Sequence, residues 1–453
     1  MKYMPNDIFL ANGHDISNYI ARHGAANLQI QAVMKLDGRV DYDNLSKAVR
    51  LSLDEEPVLG CRFIEGEPPY WRRMNNIDQT AFCFFENTGN PDEAVQEFLE
   101  SPLDMDRDPM VKVKLIHSEA SDIICLKINH VCCDGAGTKE YIQLLSKIYS
   151  SINQNSGDYI PQPRTGGRKD QDKLFDALGI EEPEEKWNPL LNTPRTMWVF
   201  PWRLGWAGAA SFVVCSLPYG YLDAMAAYGK RMGATINDLI LTAYYRAMFE
   251  YSRPPYGIPM DITSTIDLRR YLPNRKAEAI RNFSGGFVTR IARIKGESFE
   301  GTLLRVMHKM NKIKSGLPGL QNAIGGEYIE KLSFEQINDY YKASSEFNKI
   351  VRQFPGLGSY LCLPGLSNLG FISKSPIRFG NSTVTDAYIL PPAIRPPGFL
   401  LLACSYNGVI TLATSFYKDS LRKKDAEKLL NKIKDELVDN CVLSNDKGDK
   451  NGY

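Results

Sequence analysis

The chain has little from which a metal centre, a disulfide framework or a membrane span is built. Only five histidines occur in 453 residues, and none is spaced with cysteine as zinc ligands are. The nine cysteines include no CxxC pair and follow no regular spacing. An odd count, together with an N-terminus (MKYMPNDIFLANG) that lacks a secretory apolar core, makes reduced thiols and a cytoplasmic location the expectation. The most apolar later stretch, WAGAASFVVCSLP at 206–218, is too short to cross a bilayer. Charge of one sign is missing as well. A net charge of +1 gives no electrostatic reason to expect a nucleic-acid partner. DMDRD at 104–108 offers three alternate carboxylates, but Pro109 and Leu115 stand where a calcium loop needs glycine and glutamate. That segment reads as a solvated turn. The glycine clusters GLPGL (316–320) and FPGLGS (354–359) lack the lysine of a phosphate loop and read as turns.

What is present is globular. Hydrophobic residues make up 43% and charged residues 24%, and the length favours two domains. Strand-like runs at 27–36, 111–119 and 121–130 alternate with helix-spaced segments at 42–56, 91–103 and 135–152. Residues 151 to 196 are polar and rich in proline and glycine, and read as a crossover linker. Strands are then expected at 210–218, 260–270 and 284–294, helices at 233–252 and 299–316, three strands in a row between 383 and 417, and a closing helix at 420–440. Thr235 and Asp238 are placed as a capping pair. The expected organisation is an N-terminal subdomain over 1–160, a linker over 161–196, a C-terminal subdomain over 197–443 and a flexible tail over 444–453. Trp198, Trp202 and Trp206 fall within nine residues; packing of the linker against a core is favoured over an aromatic patch for a lipid-like acceptor.

The segment KINHVCCDGAGTKEY, residues 127–141, concentrates the chemistry. His130 ends an apolar strand, where side chains project into clefts, and an imidazole can take a proton near neutral pH. Asp134 and Gly135 follow in a tight turn before a helix. A buried Asp134 needs a cationic partner, and the DLRR run at 267–270 offers Arg269, with Arg270 as the alternative. Cys132 and Cys133 raise a second reading, a thiol nucleophile activated by the histidine.

Asn129-His130-Val131-Cys132-Cys133-Asp134-Gly135 resembles the HHxxxDG signature of the chloramphenicol-acetyltransferase-like superfamily, with Asn129 in place of the first histidine. That superfamily includes nonribosomal peptide condensation domains and alcohol and wax-ester acyltransferases. SPLDMDRDPMVKVKLI (101–116), GATINDLILTAYYRAM (233–248), STIDLRRYLP (264–273) and LSNLGFI (366–372) resemble further family segments in the right order. The resemblance implies an α/β sandwich fold, with two similar subdomains forming a V around a tunnel. It implies acyl transfer from acyl-coenzyme A, or from an acylated phosphopantetheine on a carrier protein, to a hydroxyl or amine. His130 would be the general base and Asp134 and Arg269 a supporting ion pair. Gly135 would permit close backbone approach, and Asn129, Ser367 or Asn368 would contact the oxyanion or substrate. No bound metal or redox cofactor is implied. A monomer handling a small-molecule donor and acceptor is expected, and the Asn129 departure leaves a non-catalytic member of the fold as the alternative.

Overall fold

In the computed structural model the described residues are 7–119, 121–154, 159–164, 171–186, 196–206, 208–353 and 360–443. Two large sheets organise them. The first has six strands in the order Arg378–Phe379, Ser382–Leu390, Gln29–Leu36, Asp122–Asn129, Val111–His117 and Cys83–Asn87. The second runs Ser284–Ala292, Pro259–Asp267, Leu361–Phe371, Gly398–Tyr406, Val409–Tyr417 and Ala210–Ser216, with Trp198–Val199 pairing on Leu361–Phe371. Helices pack on both sheets, as expected for an α/β sandwich fold. Each sheet carries its own large apolar core. The two halves are therefore two subdomains, each a sheet that must bury an apolar face.

The central strands read as expected because both of their faces are covered. Asp122–Asn129 is buried at every position, so its run of Ile123, Ile124, Cys125 and Leu126 is nearly continuous rather than alternating. Helix Tyr42–Glu55 begins at Asp41, whose side chain accepts from the Asn44 amide. Thr235 and Asp238 form the expected capping box at the start of helix Ile236–Ser252. Gly233 does not belong to that helix. It ends a preceding one, Tyr221–Met232, in a left-handed conformation with φ of +69°, which glycine adopts without steric cost.

Two features depart from the sequence reading. Strand Ser382–Leu390, read as one of three consecutive strands, is hydrogen-bonded to Gln29–Leu36 in the first sheet. Only Gly398–Tyr406 and Val409–Tyr417 pair as neighbours in the second. The stretch read as linker contains a helix, Gln171–Leu178, whose Leu174 and Phe175 are buried in a small cluster with Leu268 and Phe283; residues 165–170 and 187–195 of that stretch lie outside the described residues. Segment 366–372 lies mostly within strand Leu361–Phe371, whose register shifts between Asn368 and Gly370. As the sequence favoured, Trp198 and Trp202 pack rather than form a patch. Trp198 and Trp202 are buried in the second core and donate to the carbonyls of Asp261 (2.7 Å) and Leu361 (2.9 Å). The FPGLGS cluster and the tail at 444–453 lie outside the described residues.

Candidate active site

Strand Asp122–Asn129 delivers His130 to its end, and helix Gly135–Gln154 starts five residues later. The turn between them is anchored from the second half of the chain. Asp134 Oδ1 accepts from the Gly137 amide at 2.8 Å, serving as an N-terminal cap. Its Oδ2 accepts from the Phe283 amide at 2.7 Å and from Arg269 Nη1 at 2.9 Å. Both side chains of this ion pair are 3% exposed. Burial acts to raise the Asp134 carboxyl, but Arg269 and the two backbone amides outweigh it and hold it below the usual carboxylate range. Arg269 also donates to the Arg281 carbonyl at 2.9 Å and faces Asp267 at 3.1 Å. Arg270 takes no part in this pairing.

His130 is partly buried and lines a cavity of about 490 Å³. Its Nδ1 lies 3.1 Å from Asn282 Oδ1. The Asn282 amide is oriented by its other end, since Nδ2 donates to the Val131 carbonyl at 2.7 Å. The oxygen therefore faces the imidazole and can only accept. In the neutral imidazole Nδ1 then carries the proton and Nε2 keeps its lone pair. The sequence holds no local signal for Asn282, because it is 152 residues away in the chain.

Of the other expected site residues, Asp134, Gly135, Ser367 and Asn368 line the same cavity as His130. Arg269 stands behind Asp134. Ser367 Oγ accepts from Thr265 Oγ1 at 3.1 Å, so its own hydroxyl proton remains to be donated. Asn368 is held on both sides, donating to Asn237 Oδ1 at 3.3 Å and accepting from the Gly370 amide at 3.0 Å. Asn129 is not in the lining. It is fully buried, and its Oδ1 accepts from the Val131 amide at 2.9 Å. Side chains alternate along a strand, so one at 129 and one at 130 cannot serve the same face. At Gly135 a Cβ would lie 2.6 Å from Leu369 Cδ2, which is the close approach that glycine allows. The thiol reading fails on access. Cys133 is fully buried, outside the cavity lining, and burial pushes its thiol well above the ordinary range. A further histidine, His14, lies near the ion pair; burial and Arg281 push it down to about 4, so it is neutral.

Among the described residues no group of three His, Cys, Asp or Glu side chains is placed to hold a metal ion, and no helix is long and apolar enough to cross a membrane.

Comparison with known proteins gives this arrangement a context. Residues 23–167 match the condensation domain family model. Surfactin synthase subunits 1 and 2 of Bacillus subtilis (strain 168) are 22% and 27% identical over 222 and 175 residues, which is 47% and 35% of this chain. Those regions are only 6% and 5% of the two synthase subunits. Among solved structures, the first condensation domain of the CDA synthetase superposes with a TM-score of 0.66 at 13% identity, covering 96% of this chain and 97% of that one. The trichothecene 15-O-acetyltransferase of Fusarium sporotrichioides gives 0.68 at 13% identity, covering 95% and 94%. Polyketide synthase associated protein 5 of Mycobacterium tuberculosis gives 0.63 at 16% identity, covering 96% and 99%. A condensation-domain match therefore covers the first third of the chain, and the fold of these solved structures is shared along nearly its whole length.

Proposed function

We propose that the protein is an acyltransferase that moves an acyl group from acyl-coenzyme A to a hydroxyl or amine, with His130 as general base. The observation that carries this reading is the Asn282 contact, which fixes the imidazole tautomer and leaves Nε2 as the lone-pair nitrogen. An alcohol is a poor nucleophile until its proton begins to leave. Nε2 takes that proton as the acceptor oxygen bonds to the thioester carbonyl carbon, and the carbonyl pair moves onto oxygen. The Ser367 hydroxyl, with its oxygen already accepting from Thr265, donates to this oxyanion. The carbonyl then re-forms, the carbon–sulfur bond breaks, and His130 returns the proton to the thiolate. A placed base of this kind contributes roughly 10²–10⁴-fold. Asp134 and Arg269 do not touch the reacting atoms in this scheme. They hold the loop.

The similarity to surfactin synthase subunits favours a second reading, in which the donor thioester arrives on a carrier protein. A screen of thiol release from short- and long-chain acyl-coenzyme A, against a panel of alcohols and amines, separates the two. Acceptor-dependent release supports the coenzyme A reading. Release only when the acyl group is loaded on a phosphopantetheinylated carrier supports the other. Turnover with neither, and no effect of His130→Ala on any ligand-dependent property, would make the protein a non-catalytic member of the fold.

A further inference from the structure

We propose that the cavity takes an acceptor bearing a carboxylate, and that Lys139, with Arg270, recognises it. The proposal deepens the acyl-transfer reading and rests on it for the acceptor's role, though not for the binding itself. It begins with the charges of the wall. Two carboxylates line the cavity, Asp134 and Asp267. Both are already answered by one guanidinium, that of Arg269, at 2.9 and 3.1 Å. Three cations line it as well: Lys139, Arg270 and Lys314. Lys314 has Asp238 at 3.7 Å. Lys139 and Arg270 have no ion pair with any carboxylate among the described residues.

Lys139 is the more telling of the two. It sits one turn into the helix that follows the His130 loop and is partly buried. An ammonium has three donors. One reaches the Leu369 carbonyl at 2.6 Å, at the register shift of strand Leu361–Phe371. That bond fixes the ammonium at Leu369, the residue that follows Ser367 and Asn368 in the chain, and its remaining donors make no ion pair among the described residues; Asp267 and Asp134 act on it only at longer range. Burial lowers its pKa, so the charged form gains most when an anion arrives. Arg270 is exposed, lies over the ring of Tyr271 at 5.7 Å, and presents a planar fork suited to a carboxylate. The rest of the wall is largely apolar, including Ile266, Phe287 and Leu402. An aliphatic hydroxy or amino acid satisfies both halves of this surface, with its nucleophile at His130 and its carboxylate at Lys139.

The same cations would also suit a phosphate on the donor's pantetheine arm, so the test has two arms. Calorimetric titration without any acyl donor compares 8-hydroxyoctanoate with 1,8-octanediol, and 4′-phosphopantetheine with pantetheine. Wild type should bind the acid about tenfold or more tightly than the diol, as a charge-assisted hydrogen bond implies. Lys139→Gln should erase that preference, Lys139→Arg should restore most of it, and Arg270→Gln should reduce it. The phosphopantetheine-to-pantetheine ratio should stay unchanged in all three. His130→Ala should keep the acid preference while losing transfer, which separates failure of this proposal from failure of the acyl-transfer reading. Equal binding of acid and diol by wild type overturns the proposal. So does a Lys139→Gln protein that keeps the acid preference, or one whose only loss is in phosphopantetheine binding.

Discussion

Replacing Asp134 with alanine should destabilise the protein before it affects chemistry. The carboxylate accepts from Arg269, Gly137 and Phe283, and it joins a turn of the first half to two segments of the second. Breaking a buried ion pair from one side costs about 3–5 kcal/mol, because the remaining charge is left uncompensated. Two circumstances adjust that range. Arg269 keeps Asp267 at 3.1 Å and the Arg281 carbonyl at 2.9 Å, which lowers the cost of losing Asp134. Two buried amides lose their acceptor, which raises it by about 1–3 kcal/mol each at most. The upper part of the range is therefore expected for Asp134→Ala. Arg269→Ala should cost somewhat less, since Asp134 retains its two amides. The double variant should lose less than the sum by about 1–3 kcal/mol, the coupling of a contacting pair. Urea denaturation followed by far-ultraviolet circular dichroism and by tryptophan fluorescence measures all three. Additive losses would refute the pair as a coupled unit. An Asp134→Ala protein that unfolds like the parent yet transfers no acyl group would place Asp134 in the chemistry instead.

Other substitutions probe single elements. Asn282→Ala removes the acceptor that fixes the His130 tautomer, and kcat should fall by up to roughly tenfold, with about 1–3 kcal/mol of stability lost through the Val131 carbonyl; an unchanged kcat in the folded variant would show that the contact orients nothing. Asn129→Ala should lose about 1–3 kcal/mol through the Val131 amide while turnover stays near wild type, and a dead but stable variant would promote Asn129 to a substrate contact. Gly135→Ala places a methyl 2.6 Å from Leu369 Cδ2, and overpacking should cost roughly 1–3 kcal/mol; a variant as stable as the parent would show that Leu369 moves aside freely. Lys127 is 1% exposed, and burial, aided by Lys112, pushes it down to about 7. The unfolded chain thus binds more protons between about 7 and the usual ~10.4, so stability rises with pH across that window. Lys127→Met should gain most relative to the parent at pH 6, the difference shrinking toward pH 10; thermal melts showing a constant difference would contradict this.

Sequence alone exposes the parts of the fold whose patterns are local. The run from Ile123 to Leu126 and the Thr235–Asp238 cap are each written within a few residues. Strand Leu361–Phe371 is not, because Pro364, Gly365 and Gly370 interrupt its pattern. Glycine is nevertheless suited there, since a Cβ on Gly365 would come within 3.1 Å of Leu400 Cδ1. Helix Tyr221–Met232 carried a readable signal, with Leu222, Met225 and Tyr228 buried at helical spacing. The transfer of Ser382–Leu390 into the first sheet had none, since its apolar alternation fits either sheet. The same division holds at the site. His130, Asp134, Gly135 and Lys139 fall in one short segment, whereas Asn282 and Thr265 reach the site only through tertiary packing. Asn129 was drawn toward the substrate by its place in the motif, and strand alternation turns it away.

The central claim is that His130 removes the acceptor's proton. Its most direct test is the steady-state rate of acceptor-dependent thiol release from acyl-coenzyme A by His130→Ala, compared with wild type on the acceptor that the screen identifies. Circular dichroism and melting should confirm an intact fold, because the substitution removes a partly buried side chain at a cavity wall. A drop of roughly 10²–10⁴-fold in kcat, with acceptor binding retained, is the predicted result. Turnover within a few-fold of wild type would contradict the account.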